Sequence, residues 1–366
     1  HRWGGDHFVI DDKGELRVKL LTQDQSVSLL DVIQRVSRQG FQMPILLRVA
    51  NTLDERIQLL HETFRKAIAR AGYQGIYKGV FPIKVNQQKH VVEHIAGFGQ
   101  KYHHGLEVGS KAELLAALSL LKDPESFLIL NGYKDSEFVD IGLYAQQLGL
   151  NCIFVLELEG ELDLVLERSE LLGVKAKYGV RMRLSTQTSG QWSESSGDRS
   201  VFGLSASQVI GVVDKLRLLN KLDQLEMLHY HIGSQIPEVR HIRSGISEAV
   251  AIYKGLCEEG ARMGIIDLGG GLGVDYDGSL SNNPNSRNYS WDEYCDVVVD
   301  GIQHGLAGTD IQHPTIVTES GRATVAYSSI LLFNILDRHN HSDLPQVPKL
   351  PDESIYIDER DYNIYS

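Results

Sequence analysis

The stretch Val80-Phe81-Pro82-Ile83-Lys84-Val85-Asn86-Gln87 runs from apolar residues into a lysine and then into polar ones. A short apolar run of this kind reads as a strand, here over 79–84, with Lys84 at its solvent end. A partly desolvated amine in that place is a nucleophile toward aldehydes. An ordinary exposed lysine after a strand would look the same. The rest of the chain bears on the choice. Similar runs stand at 105–108, 127–130, 152–156, 178–183, 225–231, 265–268 and 315–319, with helical stretches between them. Three helices open on Ser followed three residues later by Glu or Gln, at Ser110, Ser205 and Ser290, the spacing of a capping box. Eight strands alternating with helices predict an α/β fold, a (β/α)8 TIM-type barrel. An open parallel sheet would give the same alternation. The polar residues gathered at the strand ends favour the barrel, because that is where a barrel assembles its active site.

Outward from the barrel the pattern changes. Phe8-Val9-Ile10, the turn Asp11-Asp12-Lys13-Gly14 and Leu16-Arg17-Val18 read as strand, turn, strand. Thr52-Leu53-Asp54-Glu55 has the capping-box spacing, and Leu53, Ile57, Leu60, Phe64 and Ile68 follow as one helical face. Ala326 to Leu336 is apolar and β-prone, with no helix to accompany it. The expected organisation is an N-terminal β segment of a second domain (1–45), a cofactor-binding barrel (46–325) and the truncated start of a C-terminal β domain or insertion (326–366).

The chain has 366 residues, 42% hydrophobic and 23% charged, with a net charge of −12. No basic run with interleaved aromatics argues for nucleic acid, and no apolar run approaches membrane-spanning length. Three widely spaced cysteines, without a CxxC, suit a reducing compartment, and a cytoplasmic location is expected.

The strand ends present Lys84, Glu107, Asn131, Glu157, Arg183, His229-Tyr230-His231-Ile232-Gly233-Ser234, Asp267-Leu268-Gly269-Gly270-Gly271 and Thr318-Glu319-Ser320-Gly321-Arg322. Glycines let backbone amides approach an anion closely. Barrels commonly hold phosphate in the loops after strands seven and eight. The Gly269–Gly271 run and the Gly321-Arg322 pair occupy those loops; a tight turn is the plainer reading of the glycines. Glu319 could face a pyridine-type nitrogen and keep it protonated, or simply bridge to Arg322. His229 and His231 share a strand face and could bind zinc, but no third ligand stands at recognisable spacing. A strand-end imidazole could instead stack on a flat cofactor, or be a hydrogen-bonded histidine in a polar barrel mouth. A lysine for an aldehyde, amides and an arginine for a phosphate, an acid for a ring nitrogen and a stacking imidazole together describe pyridoxal phosphate.

Phe81-Pro82-Ile83-Lys84-Val85-Asn86-Gln87, Gly105-Leu106-Glu107-Val108-Gly109-Ser110-Lys111, Asn131-Gly132-Tyr133-Lys134-Asp135, His229-Tyr230-His231-Ile232-Gly233-Ser234-Gln235-Ile236, Asp267 through Gly278 and Glu319-Ser320-Gly321-Arg322-Ala323 resemble the biosynthetic arginine decarboxylases, as does Arg2-Trp3-Gly4. Those enzymes are pyridoxal phosphate proteins of the alanine-racemase-like barrel class. The resemblance runs in the same order to about Leu336. It implies that Lys84, His231 and Glu319 are catalytic. It implies that Lys84, His231, Ser234, Gly269, Gly270, Gly271, Glu319, Gly321 and Arg322 contact the cofactor. It places substrate recognition in Ile266-Asp267-Leu268-Gly269-Gly270-Gly271-Leu272-Gly273-Val274-Asp275-Tyr276. It further implies decarboxylation of L-arginine to agmatine, a Mg2+ dependence with no ligand set to assign, and a homodimer or higher homo-oligomer. A relative acting on ornithine, lysine or diaminopimelate, or a catalytically incompetent fragment, is the alternative. The family's Cys-Asp pair has no counterpart in a matching position; Cys295-Asp296 has the letters but falls in a barrel helix. Val201 stands before Phe202, where the family often has a basic residue, and Tyr327 and Ser328 stand where it often has His-His.

Overall fold

In the computed structural model, residues 4–5, 7–19, 26–184 and 202–338 are described. Arg2, Trp3, Val201 and the acidic tail after 338 lie outside them. The chain opens with an antiparallel meander, β1 (Phe8–Ile10), β2 (Leu16–Lys19) and β3 (Ser26–Ser28), followed by α1 (Leu29–Arg38) and β4 (Ile45–Arg48). The long helix α2 (Ala50–Ala71) then leads into β5 (Tyr77–Pro82). From there strand and helix alternate: α3 (Lys89–Gly99), β6 (Gly105–Val108), α4 (Lys111–Leu120), β7 (Phe127–Leu130), α5 (Ser136–Gln147), β8 (Asn151–Leu156), α6 (Glu159–Leu172) and β9 (Tyr178–Arg181). The alternation continues through α7 (Ala206–Leu218), β10 (Leu225–His229), α8 (Val239–Glu258), β11 (Ile265–Asp267), α9 (Trp291–Leu306) and β12 (Thr315–Glu319). A one-turn helix α10 (Gly321–Val325) and β13 (Ser329–Leu332) end the described chain.

Strands β5 to β12 form a closed parallel barrel. The closing pair is β12 with β5, in the register Ile316↔Tyr77 to Glu319↔Val80. This rules out the open sheet. Closure lets side-chain parity sort the residues. One parity packs outward under the helices, as do Leu106, Leu128, Leu228, Ile266 and Ile316. The other fills the barrel with a separate apolar cluster, Val80, Phe127, Ile129, Ile153, Val155, Met227, Ile265 and Val317. Removing a side chain from that plug, as in Ile153→Ala, leaves a cavity that costs about 2–5 kcal/mol.

The Ser205 and Ser290 capping boxes form as the spacing predicts. Ser110 caps α4, but Glu113 turns to the amide of Gly109 instead of closing the box. The box predicted at Thr52–Glu55 is absent. β4 pairs antiparallel with β13, from Ile45↔Leu332 to Arg48↔Ser329, and Val49 N donates to Ser328 O. The chain therefore leaves the sheet straight into α2, whose N-cap is Val49. Thr52 lies inside the first turn, buried, with no partner for its hydroxyl. Glu55 faces His7 at 3.6 Å and ties the N-terminal segment to the barrel. The β-prone run after 326 thus finds its partner in β4, which straddles the expected boundary at 45/46.

Candidate active site

Moving two residues along each strand from the apolar plug keeps the inward parity and changes the chemistry. Ile129 is followed by Asn131, Val155 by Glu157, Gly179 by Arg181, Met227 by His229, Ile265 by Asp267, Val317 by Glu319, and Gly105 by Glu107. These seven residues form a polar layer at the carboxyl ends of the strands. In β5 the same position is Pro82, and the chain turns into a 3-10 segment, Ile83–Val85. Lys84 therefore stands on the turn after the strand and not at its last position. A cavity of about 440 Å³ opens above the layer. Its wall includes Lys84, Asn131, Arg181, His229, His231, Ser234, Tyr276, Glu319, Gly321 and Arg322.

Lys84 Nζ lies 3.0 Å from Glu107 Oε1 and 2.9 Å from Oε2. Burial alone would push its ammonium down; Glu107 and Glu319 outweigh that, and the net direction is up. Without a ligand, the amine is thus held as an ammonium and not as the free nucleophile that desolvation alone would give. Burial and the neighbouring Glu319 push Glu107 up to about 7. Asn131 Nδ2 donates to Glu107 Oε1 at 3.0 Å and to Glu319 Oε1 at 2.9 Å. Glu319 is raised by burial and by Asp267.

Behind Glu319, His229 Nδ1 lies 3.0 Å from Asp267 Oδ2 and 3.8 Å from Glu319 Oε1. The strand register sets His229 beside Asp267. Burial pushes His229 down to about 4 and Asp267 up to about 7. His229, Asp267 and Glu319 offer ligand atoms within 4.8 Å of one another. The third ligand missing from the His229–His231 reading thus exists, but it joins His229 with two acids and leaves His231 out. A buried nitrogen with two carboxylates is not the oxygen-rich octahedral set that magnesium takes.

His231 lies past the end of β10, and its Nδ1 accepts from Gly270 N at 3.1 Å. Accepting there requires an unprotonated Nδ1, in keeping with burial that pushes the imidazole down to about 3. The amides expected for phosphate are partly used within the protein: Gly269 N donates to Asp267 Oδ1 and Gly270 N to His231. Gly269 has φ +62°, and a Cβ on it would sit 2.5 Å from Tyr230 O, so this glycine serves the turn that seats His231. Arg322 does not bridge to Glu319, because the last residue of β12 points into the barrel while α10 carries the arginine across the mouth. Its Nε and one terminal nitrogen each lie 3.3 Å from Ser234 Oγ, and the other terminal nitrogen lies 3.2 Å from Tyr276 Oη.

Of the segment 266–276, Gly270, Gly271, Leu272 and Tyr276 line the cavity. Ile266, Leu268 and Val274 are in the apolar core, and Asp275 accepts from Ser286 Oγ at 2.6 Å. Gly269, Gly273 and Asp267 shape the loop from behind. Arg181 replaces Arg183 as the cavity residue of β9 and donates to Glu157 at 2.6 Å. Residues that sequence reasoning left without a role are Asn131, Glu157, Arg181 and the His229–Asp267 contact. The two-residue step from apolar to polar on each strand was the signal for them. Cys295 is buried in α9, away from the cavity, and Cys152, Cys257 and Cys295 are all free.

The family model described as "Pyridoxal-dependent decarboxylase, pyridoxal binding domain" matches residues 54–326. The biosynthetic arginine decarboxylase of a Nostoc species is 43% identical over 349 residues, covering 95% of this chain and 51% of that protein. The one from Thermosynechococcus vestitus is 43% identical over 358 residues, covering 98% of this chain and 55% of that protein. The crystal structure of the biosynthetic arginine decarboxylase from Campylobacter jejuni superposes with a TM-score of 0.81 at 31% identity, over 90% of this chain and 53% of that one. The chain spans about half the length of the curated relatives it matches.

Proposed function

The chain belongs to the pyridoxal-dependent decarboxylases, and from that premise we propose that it carries the cofactor-binding half of an enzyme that converts L-arginine to agmatine and carbon dioxide, feeding polyamine synthesis. The observation that carries this reading is that Lys84, the Ser234–Arg322 pair and Glu319 line one and the same cavity at the carboxyl ends of the strands. A cavity of about 440 Å³ suits a small ligand with a phosphate arm. The residues present fit pyridoxal phosphate: an amine, a guanidinium beside a hydroxyl, and a buried acid. When bound, the cofactor supplies an aldehyde for the substrate amine and a ring that takes up the electrons left when carbon dioxide departs.

The protein's part is to hold and orient. Arg322 and Ser234 would hold the phosphate, the guanidinium through charge-assisted hydrogen bonds. Glu319 would accept a hydrogen bond from the ring nitrogen and favour its protonated form. Neutral His231 offers a flat face to the ring. Lys84 holds a proton at Nζ that it can pass to the Glu107 carboxylate it contacts, leaving the neutral amine. Gly269, Gly270, Gly271 and Gly321 would keep the loops close to the phosphate, Tyr276 would support Arg322, and Leu272 lines the same cavity. Magnesium is assigned no step, since no described residue group suits it.

The cofactor-binding domain, expected over 46–325, would then begin just after β4, and the β4–β13 ribbon would belong to a second β-rich domain. A homo-oligomer and a cytoplasmic location complete the proposal. The free, buried Cys152 and Cys295 suit a reducing compartment. No helix of the described residues is long and apolar enough to cross a membrane.

The test is carbon dioxide release by the full-length protein, loaded with pyridoxal phosphate, from L-arginine, ornithine, lysine and diaminopimelate. Faster release from arginine than from the other three is expected. Faster release from any of them would overturn the substrate, and a Lys84→Ala variant that still bound cofactor covalently would overturn the role of the lysine.

A further inference from the structure

The two ends of the cofactor's conjugated system, aldehyde and ring nitrogen, would be served by two different acids, Glu107 through Lys84 and Glu319 directly. These acids come from strands β6 and β12, which lie on either side of β5 in the barrel wall. One side chain from a third strand joins them. Lys84 Nζ contacts Glu107 Oε1 at 3.0 Å, the same oxygen accepts from Asn131 Nδ2 at 3.0 Å, and that nitrogen donates to Glu319 Oε1 at 2.9 Å. Asn131 is buried and lines the cavity, and its Oδ1 has no partner. Its orientation is set by chemistry: turned over, the amide would press a carbonyl oxygen against two carboxylate oxygens and lose both bonds.

We propose that Asn131 is a positioning residue that holds Glu107 and Glu319 simultaneously as hydrogen-bond acceptors, so that the acid serving Lys84 and the acid serving the ring nitrogen are both kept ionised. This deepens the proposed cofactor reading and rests on it. An amide NH2 has two hydrogens and accepts nothing at nitrogen, so each oxygen it meets accepts, and that donation favours the ionised form of each acid. Two buried like charges so close would otherwise favour taking up one proton between them. The other groups facing this pair are Lys84 and Arg181 from the mouth, His229 beside Glu319, and Asp267, which faces both His229 and Glu319 and pushes the latter up. None of these donates to both acids. Leucine or aspartate at 131 would keep the approximate volume and remove the double donor.

The test uses Asn131→Asp and Asn131→Leu in the full-length protein, loaded with pyridoxal phosphate isotopically labelled at the ring nitrogen. In the parent protein the ring-nitrogen resonance should lie in the protonated range. In both variants it should move toward the unprotonated range, the absorbance band of the bound cofactor should titrate at a different pH, and cofactor affinity should fall about tenfold or more, the loss expected for a hydrogen bond to a charged group. Thermal melting reports folding separately, and if the aspartate variant does not fold, the leucine variant is read in its place. A folded variant with the parent's resonance and the parent's pH midpoint would overturn the role of Asn131. A parent protein with no bound-cofactor resonance would instead overturn the cofactor reading beneath it.

Discussion

Lys84 Nζ and Glu107 Oε1 are 3.0 Å apart, yet the lysine side chain is 56% exposed to the cavity while that of the glutamate is 1% exposed. The acid is fixed in the barrel wall and the amine is tethered to it from a turn. Burial and Glu319 raise the acid, and the acids in turn raise the lysine above what burial alone would allow. Glu107→Gln removes the charge that most raises Lys84. The amine should then lose its proton at lower pH, so covalent attachment of pyridoxal phosphate, trapped by borohydride, should reach its half-maximal rate at a lower pH than in the parent. An unchanged pH profile would show that Glu107 does not set the amine's protonation.

Arg322 meets Ser234 with two nitrogens and Tyr276 with a third. If this cluster grips an anionic arm, its contribution depends on the phosphate and not on the ring. Arg322→Met should weaken binding of pyridoxal phosphate by about tenfold or more, in line with the loss of a charge-assisted hydrogen bond, and leave binding of unphosphorylated pyridoxal nearly unchanged. Equilibrium titration with the two ligands checks this. Equal losses for both would place the phosphate elsewhere.

The barrel and most of the mouth were legible in the chain because apolar runs and polar strand ends recur at regular intervals. The parity within each run was harder to use. Drawing β9 as far as Arg183 selected the wrong arginine, since the strand ends at Arg181 and the residue two beyond it leaves the sheet. Asn131 and Glu157 sat at recognised strand ends, but their roles depend on which neighbours the closed barrel sets beside them. His229 and Asp267 are 38 residues apart in sequence and adjacent in register, a fact of strand pairing that no local pattern contains. The failed Thr52 capping box has a similar origin. Its local sequence suits a helix start, but the β4–β13 pairing delivers the backbone to the helix three residues earlier, with Val49 as the N-cap.

At the opposite end of the barrel, His61 Nε2 and His104 Nδ1 are 3.0 Å apart, and His61 stacks on Tyr102. One nitrogen of the pair must donate and the other accept, so the accepting ring cannot be protonated at that nitrogen and keep the contact. Burial pushes His61 down to about 2 and His104 down to about 4. A base depressed in the folded state is neutral there while the unfolded chain protonates near 6.5. Its contribution is therefore intact above that value and is lost as pH falls from 6.5 toward 4 for His104. The loss reaches on the order of 3 kcal/mol at the lower end. His104→Gln should flatten the decline in melting temperature between pH 6.5 and 4.5 relative to the parent. A parallel decline in both proteins would show that other groups govern acid stability.

Gly321 joins the two gripping loops sterically. A Cβ at this position would lie 2.5 Å from Val85 Cγ2 and 2.9 Å from Pro82 Cγ, so the turn carrying Arg322 packs directly on the turn carrying Lys84. Those neighbours belong to a β-branched side chain and a ring, which have few rotamers to yield with. Gly321→Ala should push α10 outward and lengthen the span between the amine and the guanidinium. The expected result is a rise of about tenfold or more in the dissociation constant for pyridoxal phosphate, since misplacing a charge-assisted contact forfeits most of its worth. The same contact predicts its own rescue. Trimming the neighbour in a Gly321→Ala, Val85→Ala double variant removes the closest clash, while Pro82 Cγ stays at 2.9 Å, and should recover part of the lost affinity. A double-mutant cycle on cofactor binding measures the coupling directly. Additive losses would mean that the two turns are positioned independently, and the span between Lys84 and Arg322 would then have to be set by the strands alone.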